Sequence, residues 1–264
     1  VEAESIRIAY AGGTAAIDIL SGEGASNGER LQPLHSARLR KGQILRIGAL
    51  SGSAVGYLAV EGGFDVTAVL GSQSTFARAG LGGLDGRPLR AGDILPLKQA
   101  RAEDRQECML PSLVLAPPPY FRLVLGPQDD YFSNQGKRTL LESVYAVSPA
   151  SDRMGMRLAG PAIEHAKGYN IVSDGIAPGS IQVPGNGLPI VLLADRQTTG
   201  GYPKIATVIS SDMPALGRLT PGAKVVFKAV DIAEAEAAHR QLRADIDAIA
   251  ESIVGVRASI DAAR

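Results

Sequence analysis

Cysteine is almost missing from this chain: among 264 residues, Cys108 is the one thiol. An internal disulfide is therefore excluded, and the chain fits a reducing compartment. Charge of one sign is not in excess either, with 27 Lys and Arg against 27 Asp and Glu. That balance removes the pull toward nucleic acid or anionic membrane that a basic surface exerts. No apolar run approaches the roughly 20 residues a membrane helix needs, and no secretory pattern opens the sequence. These absences predict a cytoplasmic protein with no nucleic-acid or membrane partner. Histidine is scarce: His35, His165 and His239 show no ligand-like spacing, and without three or four clustered ligands no metal site is expected. There is no phosphate loop of the Walker type and no nucleophile-elbow pattern. Cys108, alone in a charged stretch, reads as incidental rather than nucleophilic.

What is present is glycine, few aromatics, and short β-branched runs between turn signals. Ile44–Ile47, Val55–Val60, Leu113–Leu115, Leu123–Leu125, Ile190–Ala194, Ile205–Ile209 and Val225–Phe227 each read as a strand. Such spacing predicts antiparallel β architecture rather than alternating strands and helices. A local pattern recurs at Leu39-Arg40-Lys41-Gly42, Leu89-Arg90-Ala91-Gly92 and Leu219-Thr220-Pro221-Gly222. Each glycine lies where a turn before a strand needs positive φ. The charge-rich stretch from Lys98 to Glu107 and the stiff Ala116-Pro117-Pro118-Pro119 connector mark a boundary. The expected organisation is a β unit over 1–110, a second over 111–230, and a helical tail over 231–264. In that tail Leu242, Ile246, Ile249, Ile253, Val256 and Ile260 alternate spacings of four and three, the period of a helix seam. The seam packs on its own barrel or pairs with a second copy or a partner. Val1 in place of Met, with Gly12-Gly13 amid strand-like sequence, reads as a chain that begins inside a domain.

Polar residues crowd where the Ile190–Ala194 strand runs out: Asp195, Arg196, Gln197, Thr198 and Thr199, then Gly200-Gly201-Tyr202-Pro203. Polar groups at the mouth of a packed sheet cost about 1–3 kcal/mol each if left without partners. They satisfy one another or await a ligand, and the second reading is preferred. Similar clusters occur at Ser72 to Thr75, Ser151 to Gly155, and Ser173 to Gln182. Arginine matches a carboxylate through two hydrogen bonds, and Gln or Thr reads an amide. The expected site has Asp195, Arg196, Gln197 and Thr198 at its chemical centre. Arg153, Gln182, Thr199, Tyr202, Ser72 and Ser74 bind substrate. In this reading Arg196 or Arg153 anchors a carboxylate or phosphoryl oxygen, Gln182, Gln197 and Thr198 orient an amide, and Tyr202 forms a wall. Asp195 acts as a base or orients Arg196, orientation being favoured.

The segments GYLAVEGGFDV (56–66), LGSQSTF (70–76), GLGGLDGRPLRAGD (80–93), GPQDDYF (126–132), SDRMGMRLAGP (151–161), GSIQVPGNGLPIVLLADRQTTGGYPKIATVI (179–209) and PGAKVVF (221–227) carry a long, ordered likeness. Through them the chain resembles the family of the C subunit of bacterial 5-oxoprolinase, also called allophanate hydrolase subunit 2. The same family resembles the second part of the carboxyltransferase region of urea carboxylase and urea amidolyase. The likeness spans roughly residues 1–230 and leaves the tail outside. Members normally begin well upstream with a Gln-Asp-Leu-Gly-Arg type segment, so the N-terminal part of the first unit is expected to be missing here. Gln73 stands in place of a usual arginine, Asp174 where glutamate is common, and Gly217-Arg218 where Ala-Gln is typical.

The resemblance implies a mainly β fold of two cyclophilin-like β-barrel subdomains with a C-terminal α-helix. It implies one component of an ATP-dependent 5-oxoprolinase that converts 5-oxoproline to glutamate with the A and B subunits as partners, ATP being used by the complex. One alternative is a carboxyltransferase component moving a carboxyl group from carboxybiotin to urea or a related amide. Biotin would then come from elsewhere, since no Met-Lys-Met attachment pattern is present. A second alternative is a regulatory binding module of the kinase-inhibitor antagonist type. A homo-oligomer through the C-terminal helix is a further expectation.

Overall fold

The computed structural model describes residues 1–24 and 28–256. It is mainly β, with three α-helices and one 3-10 turn among these residues. The chain forms two compact units. One comprises Val1–Ser51, Val55–Leu113 and the chain from Glu251; the other comprises Gly52–Ala54 and Val114–Ala250.

The second unit is built on one eight-stranded sheet. Its spatial order is Lys224–Val225, Tyr145–Val147, Gly155–Ala159, Ile190–Leu192, Ser180–Gln182, Lys204–Val208, Phe121–Leu125 and Phe227–Ala229. The first and last of these flank the single residue Val226. One short segment thus pairs antiparallel with Tyr145–Val147 and, a step later, parallel with Phe121–Leu125. The sheet is nearly closed into a barrel, an arrangement that removes exposed strand edges. The expected strand Val225–Phe227 is split because its halves belong to opposite margins. The interior is filled by Phe121, Leu123, Leu158, Ile181, Ile205 and Phe227, among others. Tyr145 is fully buried; desolvation pushes its phenol up to about 12, and its hydroxyl donates to the Pro161 carbonyl at 3.2 Å.

Helix Asn134–Glu142 starts at Ser133, whose Oγ accepts from the Gly136 amide at 3.0 Å. Helix Ile232–Glu251 starts with a reciprocal capping box. The Glu234 amide donates to Asp231 Oδ1 at 2.7 Å, and the Asp231 amide donates to Glu234 Oε2 at 3.1 Å.

The first unit holds two three-stranded antiparallel sheets. Ser5–Thr14 lies between Ser36–Arg40 and Ser51–Val60, and Ile17–Leu20 lies between Gly28–Arg30 and Ile44–Ile47. Its apolar centre is small, with Ile8, Ile19 and Leu39 buried together. Charge supplements it. Arg7, with a side chain 3% exposed, donates to Glu61 and Glu107 and to the Glu103 and Arg105 carbonyls. This guanidinium ties the 103–107 segment to the sheet. The glycine-rich 80–86 run is a series of turns.

Two expectations change. Leu113–Leu115 is not a strand: it runs into three prolines that cannot donate, and Val114 is exposed. The tail helix ends at Glu251, after which Val254–Gly255 pairs with Cys108–Met109 and the Val256 amide donates to the Glu107 carbonyl at 2.9 Å. Ile253 thus falls outside the helix, just before that strand, and Ile260 lies outside the described residues. Gly42, Gly92 and Gly222 all have φ between +83° and +89°, but only Gly42 and Gly222 lead into a strand, none following Gly92.

Candidate functional site

The end of the Ile190–Leu192 strand, the two-residue ribbon of Thr199–Gly200 with Asp174–Gly175, and the start of Lys204–Val208 meet in the second unit. A Cβ at residue 200 would stand 2.7 Å from both Gln182 Nε2 and Ile176 Cδ1, so any larger residue there must push those two side-chain ends aside.

Much of the polar crowd is already engaged. Arg153 donates through Nε and Nη2 to the two Asp195 oxygens, at 2.8 and 2.9 Å. Asp195 therefore does not orient Arg196; its neighbour across the turn holds it in a two-pronged pair. Arg196 instead donates to the Ile176 carbonyl at 3.1 Å and the Leu193 carbonyl at 3.4 Å, bracing the loop. Gln197 Nε2 donates to Gln182 Oε1 at 3.3 Å, and Gln182 Nε2 donates to the Tyr202 carbonyl at 3.3 Å. Gln182 is buried, whereas Gln197, Thr198, Thr199 and Tyr202 are exposed. Ser72 and Ser74 belong to the first unit. There Ser72 Oγ accepts from the Ser74 amide at 3.1 Å, a self-contained turn.

The residue that sequence reasoning passed over is Lys204. Its side chain is 2% exposed, yet its Nζ has one ion-pair partner, Asp174 Oδ2 at 2.8 Å, and Asp174 is 52% exposed. Gln128 cements the arrangement. It donates to Asp174 Oδ2 at 3.0 Å, accepts from the Lys204 amide at 3.1 Å, and its own amide donates to the Lys204 carbonyl at 3.1 Å. The Lys204 ammonium beside it holds the Asp174 carboxyl below its ordinary value, helped by the Gly175 amide and Gln128. Lysine is almost never fully buried unless paired, and Asp174 supplies that pair here. An ammonium offers three donors, and Oδ2 of the half-exposed Asp174 takes one of them. A signal existed: a lysine opens a run, Lys-Ile-Ala-Thr-Val, whose other members suit a barrel interior.

Chemically, the cluster offers a desolvated cation, the three carboxamides of Gln128, Gln182 and Gln197, and exposed hydroxyls. That set suits a carbonyl or carboxylate oxygen.

A family model for the carboxyltransferase domain, subdomain A and B, matches residues 2–229. The chain belongs to that family. It is 38% identical over 179 residues to the C subunit of 5-oxoprolinase from Escherichia coli, covering 68% of this chain and 57% of the relative. It is 37% identical over 215 residues to the C subunit of 5-oxoprolinase from Haemophilus influenzae, covering 80% and 68%. Among solved structures it is similar to K. lactis urea amidolyase, with TM-score 0.81 and 26% identity over 93% of this chain and 16% of that one. The chain thus spans little more than half the length of the E. coli relative. No described helix is long and apolar enough to cross a membrane.

Proposed function

We propose that this chain is a component of an ATP-dependent 5-oxoprolinase that opens the lactam of 5-oxoproline to glutamate together with A and B subunits. The buried Lys204 ammonium carries the reading. It provides a preorganised positive charge where negative charge develops on an amide oxygen, usually the largest catalytic contribution. In the proposed arrangement Lys204 donates to the lactam oxygen. Asp174 and Gln128 hold the ammonium in place, and Gln182 and Gln197 position the amide edge. The Thr198 and Thr199 hydroxyls and the Tyr202 ring border the substrate. The Arg153–Asp195 pair and Arg196 keep the loop in shape rather than touching substrate. Similarity to the two 5-oxoprolinase relatives supports this reaction over others. ATP is assigned to the complex, because this chain offers no phosphate loop.

A second reading, carboxyl transfer to urea or a related amide, draws support from the K. lactis urea amidolyase likeness over 93% of the chain. The Lys204 donor set fits a carboxyl oxygen equally well. Biotin, held by another part of such an enzyme, would supply the carboxyl group, and this chain would bind and orient the acceptor amide.

Reconstitution with homologues of the A and B subunits separates the readings. 5-Oxoproline-dependent ATP hydrolysis is expected, and it should disappear with Lys204→Met. Biotin-dependent urea carboxylation in place of it would sink the first reading.

A further inference from the structure

Helix Ile232–Glu251 has 20 residues, none of them buried. Isolated helices of this length are marginal in water and depend on burying an apolar face. Its N-terminal half borders an open cavity of about 550 Å³ against the barrel. Val124, Pro178, Val208 and Ile209 form one side, with Ile232 and Ala235 on the other. The cavity is incompletely filled: Ile232 is still 67% exposed. In the C-terminal half Leu242, Ile246 and Ile249 continue the same stripe, and Ile246 is 48% exposed.

Read as heptads, Ile232, His239 and Ile246 take one core position and Ala235, Leu242 and Ile249 the other, with spacings of three and four throughout. Placing two such helices antiparallel about a twofold axis sets Ile232 opposite the partner's Ile249. It also sets Ala235 opposite the partner's Ile246, and His239 opposite the partner's Leu242. Flanking this core, Glu236 falls beside the partner's Arg243, and symmetry repeats the pair. Both charges are available. Arg243 has no ion pair among the described residues, and Glu236 has a loose surface contact of 3.7 Å with Arg240.

We propose that the cavity is filled by the C-terminal half of this helix from a second copy of the chain, the two copies exchanging halves. The cavity's apolar walls then receive Ile246 and Ile249 of the partner subunit, and two Glu–Arg pairs fix direction and register. The charge pattern selects antiparallel: parallel alignment would set Glu236 beside the partner's Asp231, a like charge, and Arg243 beside the partner's Ala238.

Sedimentation equilibrium of the 264-residue chain tests this. A dimer mass is expected. Glu236→Arg or Arg243→Glu alone should raise the dissociation constant about tenfold, since each replaces two attractions by two repulsions. The double reversal Glu236→Arg/Arg243→Glu should restore wild-type affinity. Ile246→Asp should give a monomer with unchanged far-UV circular dichroism. A monomer for the parent chain at every concentration would overturn the proposal. So would single reversals without effect, or a double reversal that fails to recover.

Discussion

Lys204 and Asp174 form a pair with one end dry and the other wet, and the two halves should respond differently to removal. Lys204→Met keeps a similar volume and takes the buried charge of this pair out of the interior. The Asp174 carboxylate left behind is half exposed and keeps the Gly175 amide and Gln128 as donors. Exchanging a buried ion for an apolar side chain is often neutral or stabilising, so the change in unfolding free energy should stay within about 1 kcal/mol. Turnover is a different matter. Deleting a donor that stabilises a developing oxyanion costs about 10²–10³ in kcat. Asp174→Ala does the reverse: it strands a buried ammonium and should be the more destabilising variant by a clear margin. The double variant should recover the stability of Lys204→Met. Chemical denaturation of the three variants, with 5-oxoproline-dependent ATP hydrolysis in the assembled complex, reads both effects. If Lys204→Met loses as much stability as Asp174→Ala, the asymmetry argued from burial is wrong. If Lys204→Met retains activity within a few-fold, the cluster is not the reacting site.

Other expectations follow from the same geometry. Asp174 has a depressed folded-state value, chiefly through Lys204. Its contribution to stability is complete above the unfolded value near 3.9 and is lost as pH falls from there through the lower folded value. Thermal melts between pH 5 and 2 should therefore fall less steeply in Lys204→Met than in the parent; equal slopes would contradict the assignment. Arg7→Met takes the guanidinium from Glu107, which keeps the Ser36 hydroxyl, and from Glu61, which keeps Arg105 and the Glu103 amide, and it removes that donor from the Glu103 and Arg105 carbonyls. It should destabilise the first unit by about 3 kcal/mol, seen by hydrogen exchange as lost protection in Ser5–Thr14 with Phe121–Leu125 unchanged. Gly200→Ala places a methyl 2.7 Å from the Gln182 amide, so KM for 5-oxoproline should rise while the unfolding midpoint moves little. An unaltered KM would remove Gln182 and Gln197 from substrate positioning.

The architecture was largely readable because its signals are local. Gly42, Gly92 and Gly222 mark turns that only positive φ satisfies, and the strand runs around 123, 190 and 205 reappear in the barrel. Pairing partners are not local, which is why the split at Val226 and the fate of Ile253 could not be read from periodicity. For the candidate site, polarity marked the region where the Lys204–Asp174 pair also lies but not how its members share hydrogen bonds. Arg196 and Asp195 looked like a functional couple because they are adjacent in sequence. Side chains one apart on a turn diverge, and each found its partner across the loop, in Ile176 and Arg153. Lys204 was overlooked because a lysine beside Pro203 resembles an ordinary turn residue until its burial is known.

The seam at Val226 means that one stitch hems both margins of the barrel. Until the ribosome has released the chain past Ala229, two opposite borders stay raw at the same time, each a template for stray strands. A nick or a new terminus between 224 and 229 would reopen both together. For this fold, late completion and vulnerability to aggregation have one address.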